Sequence, residues 1–246
     1  MYRFFVEPSQ IVGNEAVIIG PDVNHIKNVL RLKIGEELSL SNGIDENEYR
    51  VAIKEFTDDE VKCELRFVKE ADVELTSKIY LFQGLPKGDK MEFIIQKAVE
   101  LGVYEIIPVA MSRCVVKLDA KKADSKVKRW QGIAEAAAKQ SKRGVIPEVH
   151  EVLTYKNALA YANDIKVKLL PYEMAEGMEK TKELISGIKP GESIAIFIGP
   201  EGGFAEEEVT QAMEKGFESI TLGRRILRTE TAGMTTLSIL MYHLEN

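Results

Sequence analysis

The sequence predicts an α/β protein in two parts, a small β-barrel followed by a larger domain built on a parallel sheet. The first 70 residues contain short apolar runs separated by turn residues, which is typical of a barrel. From residue 77 onward, apolar strand patterns alternate with helical ones, which favours a parallel sheet. Two late strands each run into a turn that opens a helix, as at the ligand sites of α/β proteins.

The predicted barrel contains about five strands and one short helix. The helix is expected to begin near Asp22, a favourable N-cap residue, and to include His25–Leu30. Turn signals at Ser41–Gly43 and Asp58–Asp59 separate neighbouring strands. The predicted strands are Tyr2–Val6, Ala16–Ile19, Glu37–Leu40, Tyr49–Phe56 and Val61–Val68.

A change in composition near Ala71–Ser77 places the predicted domain boundary after residue 72, with the second part at 73–246. Lys90–Leu101 has apolar residues at helical spacing and is expected to end before Gly102. Ala120–Ser141 is also expected to be mainly helical. The predicted strands of this part are Lys78–Phe82, Glu105–Val109, Lys166–Leu170, Ser193–Ile198 and Ser219–Leu222.

The last predicted helix, Glu230–Leu244, is too apolar for a free surface helix. Leu237, Leu240 and Leu244 share its apolar face, and Tyr242 extends that face further round the helix. We therefore expect this helix to be buried.

Composition excludes several classes of protein. The 246 residues are 45% hydrophobic without an apolar run long enough to span a membrane, and the N-terminus lacks a charged-then-apolar leader. Cys63 and Cys114 are too far apart in sequence to suggest a CxxC metal site or a disulfide framework. We therefore expect a cytoplasmic protein with no membrane and no metal.

Charge is unevenly distributed along the chain. The net charge of −6 argues against a general nucleic-acid coat, but residues 113–143 hold ten Lys or Arg against three Asp or Glu. Residues 1–75 show the opposite balance, nine against sixteen. The basic stretch is typical of an RNA contact and equally of a solvated helix face, and both interpretations stay open.

Two motifs carry most of the functional signal. Ile198–Phe204 reads IGPEGGF, and its glycines allow close backbone approach to a ligand. Leu222–Ala232 reads LGRRILRTETA and holds three arginines within five residues, which a purely structural turn does not need. Neither motif is a GxGxxG dinucleotide fingerprint or a P-loop. Two such turns after two strands predict two walls of one pocket.

This pair of motifs resembles the RsmE family of ribosomal RNA methyltransferases, within the knotted SPOUT superfamily. The resemblance spans essentially the whole chain, because further blocks follow in the expected order. These blocks are Arg3–Phe5, His25–Leu32, Lys90–Val103 and Glu135–Arg143.

The resemblance implies a fold and an activity. Residues 1–72 would form a PUA-like RNA-binding barrel, and residues 73–246 a SPOUT methyltransferase domain with a deep trefoil knot and a homodimer interface. The activity would be methylation of N3 of one uridine in 16S ribosomal RNA, free or in the small ribosomal subunit, with S-adenosylmethionine (SAM) as cofactor. A ribose 2′-O-methyltransferase and a non-catalytic ribosome-assembly factor are the alternatives.

The resemblance also implies a cofactor site made largely of backbone groups. Three loops would form it, Gly199–Gly203, Leu222–Leu227 and, as the third wall, the loop after the strand at Leu169–Glu173. For Leu170, Leu222 and Leu227, plain core packing is an equal alternative to contact with the cofactor. The expected contacts are Leu170, Pro171, Gly199, Pro200, Glu201, Gly202, Gly203, Leu222, Gly223, Ile226 and Leu227.

Methylation at uracil N3 requires loss of the N3 proton, and the resulting negative charge spreads onto O2 and O4. A guanidinium can stabilise that charge, and we choose Arg228 first, with Arg224 and Arg225 as alternates. Glu201 is a candidate proton acceptor or merely holds the loop, and loss of the proton to water stays open. Thr229 and Thr231 are expected to cap the last helix rather than to take part in catalysis.

Candidate phosphate contacts come from both parts of the chain. Such contacts position RNA without reading its sequence. They are Arg3, His25, Lys27 and Arg31 in the barrel, and Arg113, Lys117, Lys142 and Arg143 in the second part.

Overall fold

The computed structural model describes residues 1–70, 73–175 and 177–245. Contacts divide the chain into two compact units. The first unit consists of Met1–Glu74 with Ala138–Ile146, and the second of Leu75–Ala137 with Pro147–Asn246. Ala138–Ile146, a segment from the middle of the chain, therefore belongs to the N-terminal unit. The division of RNA binding and catalysis between residues 1–72 and 73–246 stays a prediction.

The first unit contains a curled six-stranded sheet. Its strand order is β1-β4-β5-β6-β3-β2, with β1 and β4 parallel and the other pairs antiparallel. Register shifts between β5 and β6 are bulges that bend the two longest strands. The strands are β1 Arg3–Phe5, β2 Ile11–Val12, β3 Glu15–Ile19, β4 Glu37–Ser41, β5 Asn47–Phe56 and β6 Glu60–Glu70.

The prediction of a closed barrel is therefore wrong, because the sheet stays open between its edge strands β1 and β2. The described residues also include the two-residue strand β2, which is not among the predicted strands. The result is a half-barrel. A two-residue strand gives too short an alternation to be detected in the sequence.

The helix predicted near Asp22 exists but begins earlier. Helix α1, Pro21–Asn24, is preceded by Gly20 as N-cap and continues as a π-helix, His25–Val29. Gly20 has a φ of 73°, which favours glycine, and proline suits the first helical position. Asp22 therefore lies in the first turn, where a carboxylate is favourable, and is not the cap.

The second unit is built on a parallel sheet, which confirms the prediction. The strand order is β10-β8-β7-β12-β11-β13, and β9 also pairs with β8. The chain first moves outward from β7 to β10 and then continues on the other side of β7, where β12 pairs with it. The strands are β7 Ile79–Gly84, β8 Glu105–Ala110, β9 Glu148–Val149, β10 Leu153–Thr154, β11 Val167–Pro171, β12 Ile194–Ile198 and β13 Glu218–Ile220.

Six helices accompany these strands in the described part of the chain. The apolar face of α2 is buried as predicted, and Gly102, at a φ of 83°, follows its end. Two short 3-10 helices lie at Pro8–Gln10 and Ala162–Asp164. The helices are α2 Lys90–Glu100, α3 Ala120–Ser141, α4 Tyr155–Tyr161, α5 Met178–Ser186, α6 Glu206–Glu214 and α7 Thr229–Leu244.

The last helix, α7, is buried on one face only. Leu237, Leu240 and Leu244 are buried, but Ile239 is exposed and Tyr242 is 87% exposed. The expectation that the whole helix is buried is therefore wrong for this single chain. None of the described helices has the length and apolar character that crossing a membrane requires.

Candidate active site

A cavity of about 430 Å³ lies where β11, β12 and β13 end, within the second unit. This volume is in the range of small-molecule sites, and the carboxyl edge of a parallel sheet is their usual position. Three loops form the walls, two of them the turns that the motifs predict and the third the loop after β11. The lining residues are Pro171–Glu173, Ile198–Glu201, Gly203, Phe204, Thr221–Thr229, Lys90 and Ala232.

The first wall is a tight turn after β12. The Gly203 amide donates to the Pro200 carbonyl at 2.9 Å, and Gly203 has a φ of 67°. A side chain at Gly203 would point towards the Glu173 carboxylate across the cavity. Glycine therefore lets the backbone itself line the cavity, which suits a ligand held by main-chain groups.

Neighbouring elements hold this turn firmly. The carboxylate of Glu208 accepts from the Ala205 amide at 2.9 Å and from the Ser112 amide at 2.8 Å. On the other side, a Cβ added to Gly84 would lie 2.7 Å from the Pro200 nitrogen. The end of β7 therefore packs directly against the backbone of the turn.

The second wall, Thr221–Arg228, presents cations to the cavity. Arg224, Arg225 and Arg228 are exposed, and no acidic side chain of residues 1–70, 73–175 and 177–245 forms an ion pair with them. Ile226 lies among them and is 81% exposed. These unpaired guanidinium groups are available to an anionic ligand.

Lys90, at the start of α2, forms ion pairs with the first wall and with α7. Its ammonium lies 3.1 Å from Glu201 Oε1 and 3.3 Å from Glu230 Oε2. The backbone amide of Lys87 also donates to Glu201 Oε1, at 3.0 Å. Burial raises the pKa of Glu201, but these hydrogen bonds outweigh it, so the pKa is lowered. Glu201 is therefore held as a carboxylate and is a weak proton acceptor.

The prediction that Thr229 and Thr231 cap α7 is wrong. The N-cap residue is Arg228, which makes no side-chain capping bond. The Thr229 hydroxyl instead donates to the Gly199 carbonyl at 2.6 Å and accepts from the Gln83 side-chain amide at 2.8 Å. This polar contact joins three elements around the cavity.

Two of the expected cofactor residues are placed differently from the others. Leu170 is fully buried within β11, which fits core packing. Gly202 faces Arg113, because a Cβ there would lie 3.0 Å from the Cβ of Arg113. The structure brings the other nine to the cavity, Pro171, Gly199, Pro200, Glu201, Gly203, Leu222, Gly223, Ile226 and Leu227.

Sequence reasoning missed several lining residues. Phe204 and Thr221 adjoin the predicted turns, so extending each turn by one residue finds them, whereas Tyr172 and Glu173 lie in the predicted third wall. Lys90 comes from a helix more than a hundred residues earlier, and no sequence signal connects it to the site.

Several candidate RNA contacts of the first unit have structural partners. Arg143 is only 6% exposed, and its Nη2 lies 2.6 Å from Glu74 Oε2. Arg3 pairs with Glu48 at 3.0 Å and donates to the carbonyls of Lys142 and Arg143. A buried, paired guanidinium is not presented to a phosphate, so we revise the expectation for Arg3 and Arg143.

The remaining candidates are more accessible. Lys27 is half-buried and donates to the carbonyls of Thr57 and Asp58. His25, Arg31 and Lys142 are exposed in the first unit. In the second unit Lys117 is exposed, and Arg113 donates to the Gly202 carbonyl at 3.0 Å.

Residues that could hold a metal are not clustered in the described chain. Among residues 1–70, 73–175 and 177–245, no three His, Cys, Asp or Glu side chains come close enough to form such a group.

Comparisons with known proteins point to one family. A model described as an RNA methyltransferase domain matches residues 73–241, and one described as an RNA methyltransferase PUA domain matches residues 18–66. The chain is 38% identical to the ribosomal RNA small subunit methyltransferase E of Bacillus subtilis, over 100% of this chain and 98% of that protein. It is 36% identical to that of Mesomycoplasma hyopneumoniae, covering 97% and 98%.

Solved structures agree. The methyltransferase E of Neisseria gonorrhoeae bound to S-adenosyl methionine aligns with a TM-score of 0.86 at 32% identity, covering 98% of this chain and 97% of that chain. A methyltransferase from Legionella pneumophila in complex with SAM aligns with a TM-score of 0.84 at 33% identity, covering 98% and 96%.

Proposed function

The chain belongs to the ribosomal RNA small subunit methyltransferase E family and is a SAM-dependent ribosomal RNA methyltransferase, and we propose that it methylates N3 of one uridine in 16S ribosomal RNA. The observation that carries this proposal is the cavity, because both specific motifs line it at the carboxyl ends of three parallel strands. We place the protein in the cytoplasm, with the ribosomal RNA or the small subunit as its partner.

The cavity fits the cofactor on the evidence of its glycines. Gly203 and Gly223 both have positive φ, which favours glycine, and both line the cavity with backbone. The loops at Pro171–Glu173, Gly199–Gly203 and Leu222–Leu227 would hold the cofactor. When bound, SAM supplies an electrophilic methyl group carried on a sulfonium.

The chain's own contribution is to hold the uracil and stabilise charge. The N3 proton is released to water, and the lone pair left on N3 would accept the methyl group that bound SAM supplies. We assign stabilisation of the developing negative charge on O2 and O4 to Arg228, which is exposed at the cavity and unpaired within the described chain. Glu201 holds the loop. It does not accept the proton, because its contacts with Lys87 and Lys90 lower its affinity for a proton.

The decisive test of this function is nucleoside mass spectrometry of ribosomal RNA from cells with and without the protein. Loss of 3-methyluridine from the 16S RNA supports the proposal. Loss of a 2′-O-methylated nucleoside would identify the ribose methyltransferase alternative. An unchanged nucleoside profile together with no SAM binding in calorimetry would favour the non-catalytic assembly factor.

We also propose that the C-terminal domain forms a deep trefoil knot and a homodimer interface, and the exposed face of α7 supports the homodimer. Met234, Ile239 and Tyr242 surround a shallow groove there with Thr231, Thr235 and Ser238. An apolar surface of this kind is unfavourable in water and marks an interaction site.

The chain is expected to sediment as a dimer at micromolar concentration, and Ile239→Asp to dissociate it, because a buried unpaired carboxylate is costly. Val12→Asp, at an exposed apolar residue of the first unit, is the matched control and should stay dimeric. A fully active wild-type monomer would contradict this proposal.

RNA binding is expected to depend on exposed cations in both units. Arg31→Ala and Lys117→Ala should each weaken RNA binding and lower the slope of log K against log salt by about 0.7, as a lost phosphate contact does. SAM affinity should not change. Lys54→Ala, which removes an exposed cation paired with Glu15, is the control. Equal salt slopes for all three variants would remove Arg31 and Lys117 from the interface.

A further inference from the structure

We infer that Gln83 and Thr229 form a positioning pair that fixes the cofactor loop, Gly199–Phe204, to the start of α7. Arg228, the proposed charge-stabilising residue, immediately precedes Thr229. This inference rests on the proposed function and adds two residues to it. Neither residue contacts the reacting atoms in the role assigned here, and both act through the loop and the helix that they join.

The geometry of the pair is a directed chain of hydrogen bonds. Gln83 is fully buried at the end of β7, and its side-chain NH₂ donates to Thr229 Oγ1 at 2.8 Å and to the Gly84 carbonyl at 2.9 Å. Thr229 is also buried, and its hydroxyl donates to the Gly199 carbonyl at 2.6 Å. A hydroxyl has a single proton, so accepting from Gln83 leaves that proton for Gly199.

Burial makes these bonds effective. A donor or acceptor that loses its partner away from water keeps the full cost of its desolvation. Without the Thr229 hydroxyl, the Gln83 amide and the Gly199 carbonyl would both lose a partner. The local structure would then have to move to recover a hydrogen bond, and the cofactor loop is the part that begins at Gly199.

The position of the pair connects it to the cofactor. Gly199 is the first residue after β12 and lines the cavity, and Thr229 lines it as the first residue of α7, directly after the second wall. Because the Thr229 hydroxyl contacts the first wall and its backbone continues the second, it fixes the two walls relative to each other. The close packing of Gly84 on Pro200 also limits movement of the cofactor loop.

The test compares three threonine substitutions by titration calorimetry with SAM. Thr229→Val keeps the shape of the side chain but removes the hydroxyl, and we expect SAM to bind about tenfold more weakly. Thr229→Ser keeps the hydroxyl and should restore wild-type affinity. Thr236→Val is the matched control, because Thr236 is also buried in α7 but, among the described residues, its hydroxyl bonds only to the Ala232 carbonyl of the same helix. Its SAM affinity should equal that of the wild type.

A second measurement does not depend on the cofactor. Amide hydrogen exchange in peptides covering Gly199–Phe204 should be faster in Thr229→Val and in Gln83→Leu than in the wild type, with Thr229→Ser and Thr236→Val unchanged. Gln83→Leu should have the smaller effect, because the Thr229 hydroxyl can still donate to Gly199. If Thr229→Val does not fold, Gln83→Leu still allows the exchange measurement.

The two measurements separate the possible failures. Wild-type SAM affinity and wild-type exchange in folded Thr229→Val and Gln83→Leu would overturn the positioning pair and leave the proposed function intact. If the wild-type protein itself bound no SAM, the proposed function would fail, and the exchange rates would still confirm or overturn the pair. A lower melting temperature with unchanged affinity and exchange would show a merely structural role and would also overturn it.

Discussion

Replacing Arg228 with alanine is expected to lower turnover by roughly 10²–10³-fold while SAM and RNA still bind, as the loss of a preorganised charge contact does. Arg228 is exposed at the cavity and has no ion-pair partner among the described residues, so its charge is available to the uracil oxygens. Raising the pH should partly restore turnover in this variant, because more uracil then ionises at N3 without help. The measurement is single-turnover methylation of ribosomal RNA between neutral and alkaline pH.

Arg225→Ala is the matched control for this experiment. Arg225 is an equally exposed arginine of the same loop, three residues away. We expect it to change RNA affinity more than turnover, and its pH profile to follow the wild type. If instead the defect of Arg228→Ala lay wholly in RNA affinity, or if Arg225→Ala showed the pH-dependent loss, the catalytic assignment would belong to another residue.

Adding a methyl group at Gly84 is expected to weaken SAM binding by about ten- to hundredfold, which corresponds to the usual 1–3 kcal/mol for overpacking. The Cβ of Gly84→Ala would lie 2.7 Å from the Pro200 nitrogen and 2.8 Å from its Cδ, so the backbone of the cofactor loop has to shift. The backbone of Gly84 itself is compatible with alanine, so the effect is steric. Calorimetry with SAM measures it.

Gly132→Ala is the control for Gly84→Ala. Gly132 lies within α3 with no atom within 4 Å of an added Cβ, so alanine there should stabilise the protein by about 0.5–1 kcal/mol and leave SAM affinity unchanged. Wild-type SAM affinity in folded Gly84→Ala would show that the loop tolerates displacement. Gly202, which the motif alone suggests as the test position, is less suitable because it faces Arg113 rather than the cavity.

Local sequence patterns predicted most of the regular structure correctly. Helices α2 and α3 have their expected bounds to within a residue, because apolar periodicity is set by residues close together in sequence. The long strands follow for the same reason. The errors lie where the pattern is short or where one residue decides, as with the two-residue β2 and the helix start at Gly20 and Pro21.

The sequence by itself determined the fold class and two walls of the site. The glycine-rich turn after β12 and the arginine-rich turn after β13 both follow apolar strands, and parallel strands bring such turns to one edge. The resemblance carried by these motifs then implied the cofactor and the substrate. These conclusions rest on patterns among residues that lie close together in the sequence.

Only the tertiary structure decided which polar side chains meet. The sequence predicted Arg143 and Arg3 as phosphate contacts. Arg143 is instead buried against Glu74, and Arg3 is paired with Glu48. Gln83 and Thr229 are 146 residues apart and meet at the cofactor loop. A polar side chain bonds to whichever partner the packed backbone places within about 3 Å, and that choice depends on the topology of the whole sheet rather than on neighbours in sequence.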